Sequence, residues 1–247
     1  MTCSSDPCVQ FTDVCVQRRH RTILQEISIR ISCGEFLVVL GPNGAGKTTM
    51  LRLMNASILP SRGLVQVLGT TTTYWNGYHL RKSIGYVPQV DTIDPKLPLI
   101  VRESVAMGRF GKRGLFRKLT TRDWEKVDAA LHWVGMSELA FQPLGALSGG
   151  EYQRVAIARV LAQEPALFLF DEPTASIDPK AQKEILGLIE RVHDETKATT
   201  VYVTHDVNNL PKRCDRFILL KGGTIWRTEN LESLTQNTFL EQLYATE

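Results

Sequence analysis

The sequence predicts an α/β fold, with a parallel-sheet core, an antiparallel β subdomain at the N-terminal side and an inserted α-helical subdomain. Three observations predict it. Two short apolar runs, FLVVL at 36–40 and ALFLF at 166–170, have the length and composition of strands buried on both faces, as in a parallel sheet. From the first run onward, strand-like and helical patterns alternate, as they do where helices join the strands of an α/β core. Before it, apolar and polar side chains alternate at period two, which suits half-buried strands joined by a hairpin.

Element by element, VQFTDVCVQ (9–17) and ISIRIS (27–32) read as strands, with RRHRT as the hairpin tip between them. GEFLVVL follows, a turn glycine and then the first buried strand. Residues 47–58 read as a helix with Met50, Leu51, Met54 and Ile58 on one side, and residues 84–87 as a short strand. The stretch 90–120, rich in Pro, Gly and basic side chains, reads as irregular. In RDWEKVDAALHWV, Trp124, Val127, Leu131 and Val134 fall on one helical face. A second helix follows Gly150, strands recur at 167–170, 200–204 and 216–220, and a helix lies near 180–194. The mostly helical insert spans about 90–162 of a single domain at 9–235, with a tail at 236–247.

Composition narrows the function classes. The 247 residues are 43% hydrophobic and 22% charged, enough for one large domain with a sizeable core. A net charge of +3 gives no reason to expect a nucleic-acid partner. No apolar run approaches the roughly 18–20 residues that span a bilayer. The opening MTCSSDPC lacks the basic and apolar regions of a signal peptide, so the chain is expected in the cytosol. Cys3, Cys8, Cys15, Cys33 and Cys214 are odd in number and dispersed, as are the five histidines. They suit free thiols better than a disulfide framework or a zinc site.

The chemistry concentrates at strand ends. GPNGAGKTT (41–49) fits G-x-x-x-x-G-K-[ST], with Gly41, Gly46, Lys47 and Thr48 in the fixed places between a buried strand and a helix. Glycines let backbone N–H groups fold around phosphate oxygens, and the helix points its positive end at the same anion. Lys47 is expected to reach the β and γ phosphates and the Thr48 hydroxyl to ligate Mg²⁺. Asp171 and Glu172 stand together at the end of the second apolar run, where ligands sit in open parallel sheets. Asp171 suits Mg²⁺ coordination through water, and Glu172 suits a base for an attacking water. His205 ends the strand TVYVTHD on the same sheet edge. LSGGEYQR (147–154) has two readings: Ser148 and Glu151 form a capping box, while Gly149 and Gly150 bare N–H groups at a helix start, as an anion site requires.

These motifs, in this order, resemble the nucleotide-binding subunit of ABC transporters over roughly 9–230. GPNGAGKTT is similar to that family's Walker A loop, YVPQ with Gln89 to its Q-loop, and LSGGE to its signature. LFLFDEP resembles Walker B with the catalytic glutamate at Glu172, ASID with Asp178 the D-loop, and His205 the switch histidine. The resemblance implies a P-loop NTPase core of the ABC ATPase type with ATP and Mg²⁺ as cofactors. It implies catalytic roles for Glu172, His205, Lys47 and Gln89, and places Thr48, Gln89 and Asp171 around the metal. ATP is expected on Gly41, Pro42, Asn43, Gly44, Ala45, Gly46, Lys47, Thr48 and Thr49. In this family two such domains pair head to tail, so Ser148, Gly149, Gly150 and Asp178 are expected at the nucleotide held by the partner chain. The resemblance further implies a homodimer beneath an integral membrane permease, peripheral at the cytoplasmic face of the inner membrane and served indirectly by a substrate-binding protein.

There are two departures: the signature usually ends in Gln where Glu151 stands, and the family's adenine-stacking aromatic falls near Arg18, beside His20. More locally, VRESVAMGRFGKRGLFRKLTTRDWEKVDAAL (101–131) resembles the ATPases of manganese, zinc and iron importers. Iron-chelate or cobalamin import, and a soluble ABC ATPase outside transport, are the competing readings. The same segment carries Arg109, Lys112, Arg113, Arg117, Lys118 and Arg122 with no acid between them, a solvated loop or a contact for the permease or anionic lipid headgroups.

Overall fold

The computed structural model describes residues 7–89, 98–114 and 117–229. Cys3, residues 90–97 of the insert and the tail at 236–247 lie outside the described residues.

The alternating N-terminal stretch forms β1 (Val9–Arg18) and β2 (Arg21–Ile31), antiparallel, with Arg18 opposite Arg21 across a turn of Arg19 and His20. Two strands the period did not reveal, β4 (Arg62–Val67) and β5 (Thr70–Thr71), complete a sheet of order β2-β1-β4-β5. The second sheet has the order β10-β9-β3-β8-β7-β6. Its strands are β3 (Phe36–Leu40), β6 (Ile84–Val87), β7 (Leu167–Asp171), β8 (Thr199–Thr204), β9 (Arg216–Lys221) and β10 (Thr224–Glu229). All neighbours are parallel except β10, which returns antiparallel along β9.

The central strands are apolar on both faces because both faces are covered. Phe36, Val38, Leu40, Phe168 and Phe170 pack with the helices α3 (Val101–Arg113), α4 (Thr121–Trp133), α5 (Gly149–Gln163) and α6 (Pro179–Thr196). Leu37, Val39, Leu167 and Leu169 pack instead with α1 (Lys47–Met54) and the antiparallel sheet. The result is three layers with the parallel sheet in the middle. Each fully buried Leu or Phe contributes about 1.5–3 kcal/mol of transfer free energy.

Three expectations are corrected. The helix after the glycine loop ends at Met54, not at 58, because Ala56 takes a left-handed φ of 48°. The N–H groups of Ser57 and Ile58 then turn back to the Arg52 carbonyl at 2.9 and 3.4 Å. The hairpin tip is shorter than RRHRT, since Arg18 and Arg21 still pair. Within the stretch read as irregular, residues 101–113 form α3. Its buried face is Val101, Ser104, Val105, Gly108 and Arg109, at helical spacing but half polar or small. Arg159 bonds the Ser104 carbonyl and hydroxyl, and a Cβ on Gly108 would lie 2.1 Å from the Arg159 carbonyl oxygen. Helix α3 therefore lies backbone to backbone against α5. The short helix α2 (Gly77–Arg81) was also not foreseen.

The basic run divides. Arg109, 8% exposed, bonds Asp123 twice, Glu164 and the Ala162 carbonyl, while Arg113 also bonds Asp123. Lys112 reaches Glu164 at 3.7 Å. The acids missing from the run in sequence thus arrive from α4 and the end of α5. Arg117, Lys118 and Arg122 remain exposed.

Candidate active site

The glycine loop leaves β3 at Gly41 and enters α1 at Lys47. Its backbone takes conformations that side chains resist, with Gly44 at φ 81° and Gly46 at φ 102°. A Cβ on Gly46 would also lie 2.5 Å from Leu24 Cδ2, so this glycine is required twice. Lys47 is 4% exposed. Its Nζ donates to the carbonyls of Gly41 (2.8 Å) and Pro42 (3.1 Å) and pairs with Glu172 Oε1 at 3.2 Å. A phosphate in the loop would offer this ammonium a stronger, charged acceptor than two neutral carbonyls.

Strand β7 delivers the two carboxylates. Asp171 Oδ1 accepts from Thr48 Oγ1 at 3.0 Å, and Oδ2 accepts from the Tyr86 hydroxyl at 2.8 Å. Burial raises the Asp171 carboxyl above the ordinary carboxylate range, partly offset by those two hydrogen bonds. Burial and the neighbouring Asp171 raise the Tyr86 phenol in turn. Glu172 leaves the strand at a left-handed φ of 47°, and its N–H donates to the Val203 carbonyl at 3.0 Å. That turn brings both acids to the start of α1 instead of opposite faces of the sheet. His205, just past β8, holds Glu172 Oε2 through Nδ1 at 2.8 Å.

A cleft of about 590 Å³ opens over these groups, lined by Asn43, Gly44, Gly46, Lys47, Thr48, Thr49, Gln89, Glu172 and His205. Its other wall is Arg21, Thr22, Ile23, Gly222 and Gly223. Arg18, expected near adenine, does not line it; the hairpin reverses at Arg19 and His20, so the first residues of β2 face the loop. Ser148, Gly149, Gly150 and Asp178 do not line it either. Ser148 caps α5 and Asp178 caps α6, accepting from the N–H groups of Lys180 (3.1 Å) and Ala181 (3.0 Å). Cβ atoms on Gly149 and Gly150 would meet Ile177 Cγ2 and Ala181 Cβ, each at 3.0 Å, so these glycines also let α5 start close to α6. Glu151 turns back on its own helix: its Oε2 accepts from the Ser148 N–H (2.8 Å) and hydroxyl (2.6 Å), and these bonds hold its carboxyl below the usual range.

Tyr86 and the wall at 21–23 and 222–223 are the residues that sequence reasoning missed. The one signal for Tyr86 was a phenol on an otherwise apolar strand.

The donor set fits a nucleotide with Mg²⁺. Thr48 and Asp171 are hard oxygen donors side by side, and among the described residues no group of three His, Cys, Asp or Glu forms a metal cage. Mg²⁺ takes one or two protein oxygens and completes its shell with phosphate and water, which is what this pair leaves room for.

Glycine loop, parallel sheet and strand-end carboxylates together define a nucleotide-binding ATPase of the P-loop class. Residues 24–175 match the family described as ABC transporter. The manganese transport system ATP-binding protein MntB of Halalkalibacterium halodurans is 36% identical over 220 residues, 89% of this chain and 85% of that protein. The uncharacterized ABC transporter ATP-binding protein YvrA of Bacillus subtilis is 34% identical over 91% of this chain, which spans about half (51%) of that relative's length. A phosphonates import ATP-binding protein, PhnC 2 of Oceanobacillus iheyensis, is likewise 36% identical, over 82% of each chain. The dimeric, post-hydrolysis structure of the ATP-binding cassette MJ0796 with ADP and Pi superposes with a TM-score of 0.79 at 30% identity, covering 90% of this chain and 98% of that one. The chain belongs to the ABC transporter family, as its ATP-binding, ATP-hydrolysing cassette. No helix among the described residues is long and apolar enough to cross a membrane.

Proposed function

We propose that this chain hydrolyses ATP at a composite site between two copies of itself and so drives import of a manganese, zinc or iron ion through an integral membrane permease. The observation that carries the reading is the setting of Glu172, buried at the mouth of the phosphate loop with one oxygen on Lys47 and the other on His205.

Bound ATP supplies a transferable γ-phosphoryl group, and Mg²⁺ neutralises charge on it. Thr48, Asp171 and Gln89 would hold the metal. Lys47 moves its charge from the loop carbonyls to phosphate, which leaves Glu172 Oε1 free to take a proton from water. His205 keeps the glutamate oriented through Oε2. The backbone N–H groups of Gly44 to Thr49 and the start of α1 hold the phosphates. Ser148, Gly149, Gly150 and Asp178 lie outside that cleft, and a second copy, head to tail, gives them a nucleotide to meet. The functional unit is the domain at 9–235 with its helical insert at 90–162. It sits peripherally at the cytoplasmic face, with a substrate-binding protein acting upstream of the permease. The metal assignment rests on the likeness of segment 101–131 to metal-importer ATPases.

Glu172→Gln tests the reading in two settings. The purified variant is expected to form a stable dimer with ATP and Mg²⁺ in light scattering, and to lose turnover by on the order of 10²-fold or more. A monomer with ATP bound would sink the pairing; unchanged turnover would sink the base assignment. In host cells under metal limitation, one of manganese, zinc or iron is expected to fall selectively. No change in any would sink the metal assignment.

A further inference from the structure

We infer that Tyr86 is a positioning residue for the cation side of the site: its hydroxyl fixes the orientation of Asp171, so that the carboxylate meets a divalent cation already aimed. The inference rests on the ATP–Mg²⁺ reading of the cleft.

Strand β6 is otherwise apolar, IGYV, and pairs in parallel with β7, Tyr86 standing opposite Leu169. That register carries the phenol along β7 to its carboxyl end. The half-buried phenol finds an acceptor in Asp171 Oδ2 at 2.8 Å. Asp171 is 1% exposed, so water does not orient it. Thr48 takes Oδ1 and Tyr86 takes Oδ2, so two rigidly mounted donors, one on α1 and one on β6, fix the plane of the carboxylate. Each carboxylate oxygen has two lone pairs, so each keeps one for a metal-bound water after accepting these bonds. Remove the Tyr86 hydroxyl and, among the described residues, the Thr48 bond is the hydrogen bond left on the carboxylate, beside the charge of Arg52, which acts on Asp171 and Tyr86 alike. Thr48 is itself expected at the metal, so it cannot fix Asp171 independently of occupancy. Tyr86 can.

Partners of metal ligands, when removed, typically weaken metal binding on the order of 10–100-fold. Tyr86→Phe keeps the ring and deletes only the hydroxyl. The test titrates Mg²⁺ against wild type and Tyr86→Phe with a fluorescent ATP analogue at fixed concentration, then repeats nucleotide binding in EDTA. The expected result is a Mg²⁺ midpoint raised on the order of tenfold, with nucleotide affinity in EDTA and melting temperature unchanged. In an Asp171→Asn background, adding Tyr86→Phe should raise the midpoint no further. An unchanged midpoint would overturn the inference. So would an equal loss of affinity in EDTA, which would make Tyr86 a packing residue, or full additivity with Asp171→Asn. Were wild-type binding itself indifferent to Mg²⁺, the cation reading would fall and this inference with it; the wild type, not the variant, would reveal that.

Discussion

Glu172, Lys47 and His205 come from three separate elements, and the backbone turns at their strand and helix ends bring them together. The loop's own requirement is sharpest at Gly46, where φ is 102° and Leu24 Cδ2 would stand 2.5 Å from a Cβ. Gly46→Ala is expected to lose nucleotide binding, read with a fluorescent ATP analogue, and to destabilise the fold by roughly 1–3 kcal/mol. Gly44→Ala shares the unfavourable φ, 81°, but meets nothing within 4 Å, so its thermal penalty should be smaller. Equal melting temperatures for the two variants would refute the role of Leu24. At this scale most of the site was legible, because the loop and the Asp171–Glu172 pair are contiguous and chemically distinctive. Tyr86 was not, because its partner is fixed by strand register. That Arg21–Ile23 and not Arg18 line the cleft was not legible either, because a turn one residue shorter or longer changes which strand end meets the loop.

Helix α5 shows how one element can carry two roles. Its start is closed by Ser148 and Glu151, and the negative charge of Glu151 is spent on that cap and not pointed outward. The departure from Gln at this position therefore does not aim a carboxylate away from the helix start, which is compatible with the proposed role of Gly149 and Gly150. Helix α3 was illegible for the opposite reason: beside Val101 and Val105 its buried face carries Ser104, Gly108 and Arg109, whose burial is created by Arg159, Asp123 and the close approach of α5. Those same contacts make a prediction about the insert. Burial pushes the Asp123 carboxyl up, but hydrogen bonds from Thr120, Arg113 and Arg109 outweigh it and hold the group well below the usual range. A depressed carboxyl stabilises the fold fully above its unfolded value, about 4, and loses that contribution as pH falls toward its folded one. Asp123→Ala takes one of two acid partners from buried Arg109, leaving Glu164 and the Ala162 carbonyl, and is expected to cost about 1–3 kcal/mol at pH 7. It should also flatten the acid limb of a melting-temperature profile below about pH 4. A variant that kept the wild-type acid slope would show that the slope comes from other carboxylates.

The molecule as a whole is one sheet with two different coverings, and β7 feeds both: Phe168 and Phe170 to the helices, Leu167 and Leu169 to α1 and the antiparallel sheet. That layering was readable from continuous apolar runs. The antiparallel sheet's β4 and β5 were not, being short and interrupted by glycine. The covering sheet does more than shield the core. Leu24 and Ile23 sit over Gly46, Gln25 donates to the Gly223 carbonyl at 2.9 Å, and a Cβ on Gly223 would lie 2.5 Å from the Ile23 carbonyl oxygen. Three stretches far apart in sequence, near 23, 46 and 223, thus form one seam. Whatever stiffens the middle stretch must slow the breathing of the other two. Ligand binding lowers the population of opened states as its occupancy rises, so amide hydrogens at 24–25 and 224–225, which do not line the cleft, should exchange with deuterium more slowly once ATP is bound. Exchange slowed in the loop alone would mean that the seam is slack. If the protection spreads as expected, the antiparallel sheet carries nucleotide state away from the helical insert on the timescale of local opening.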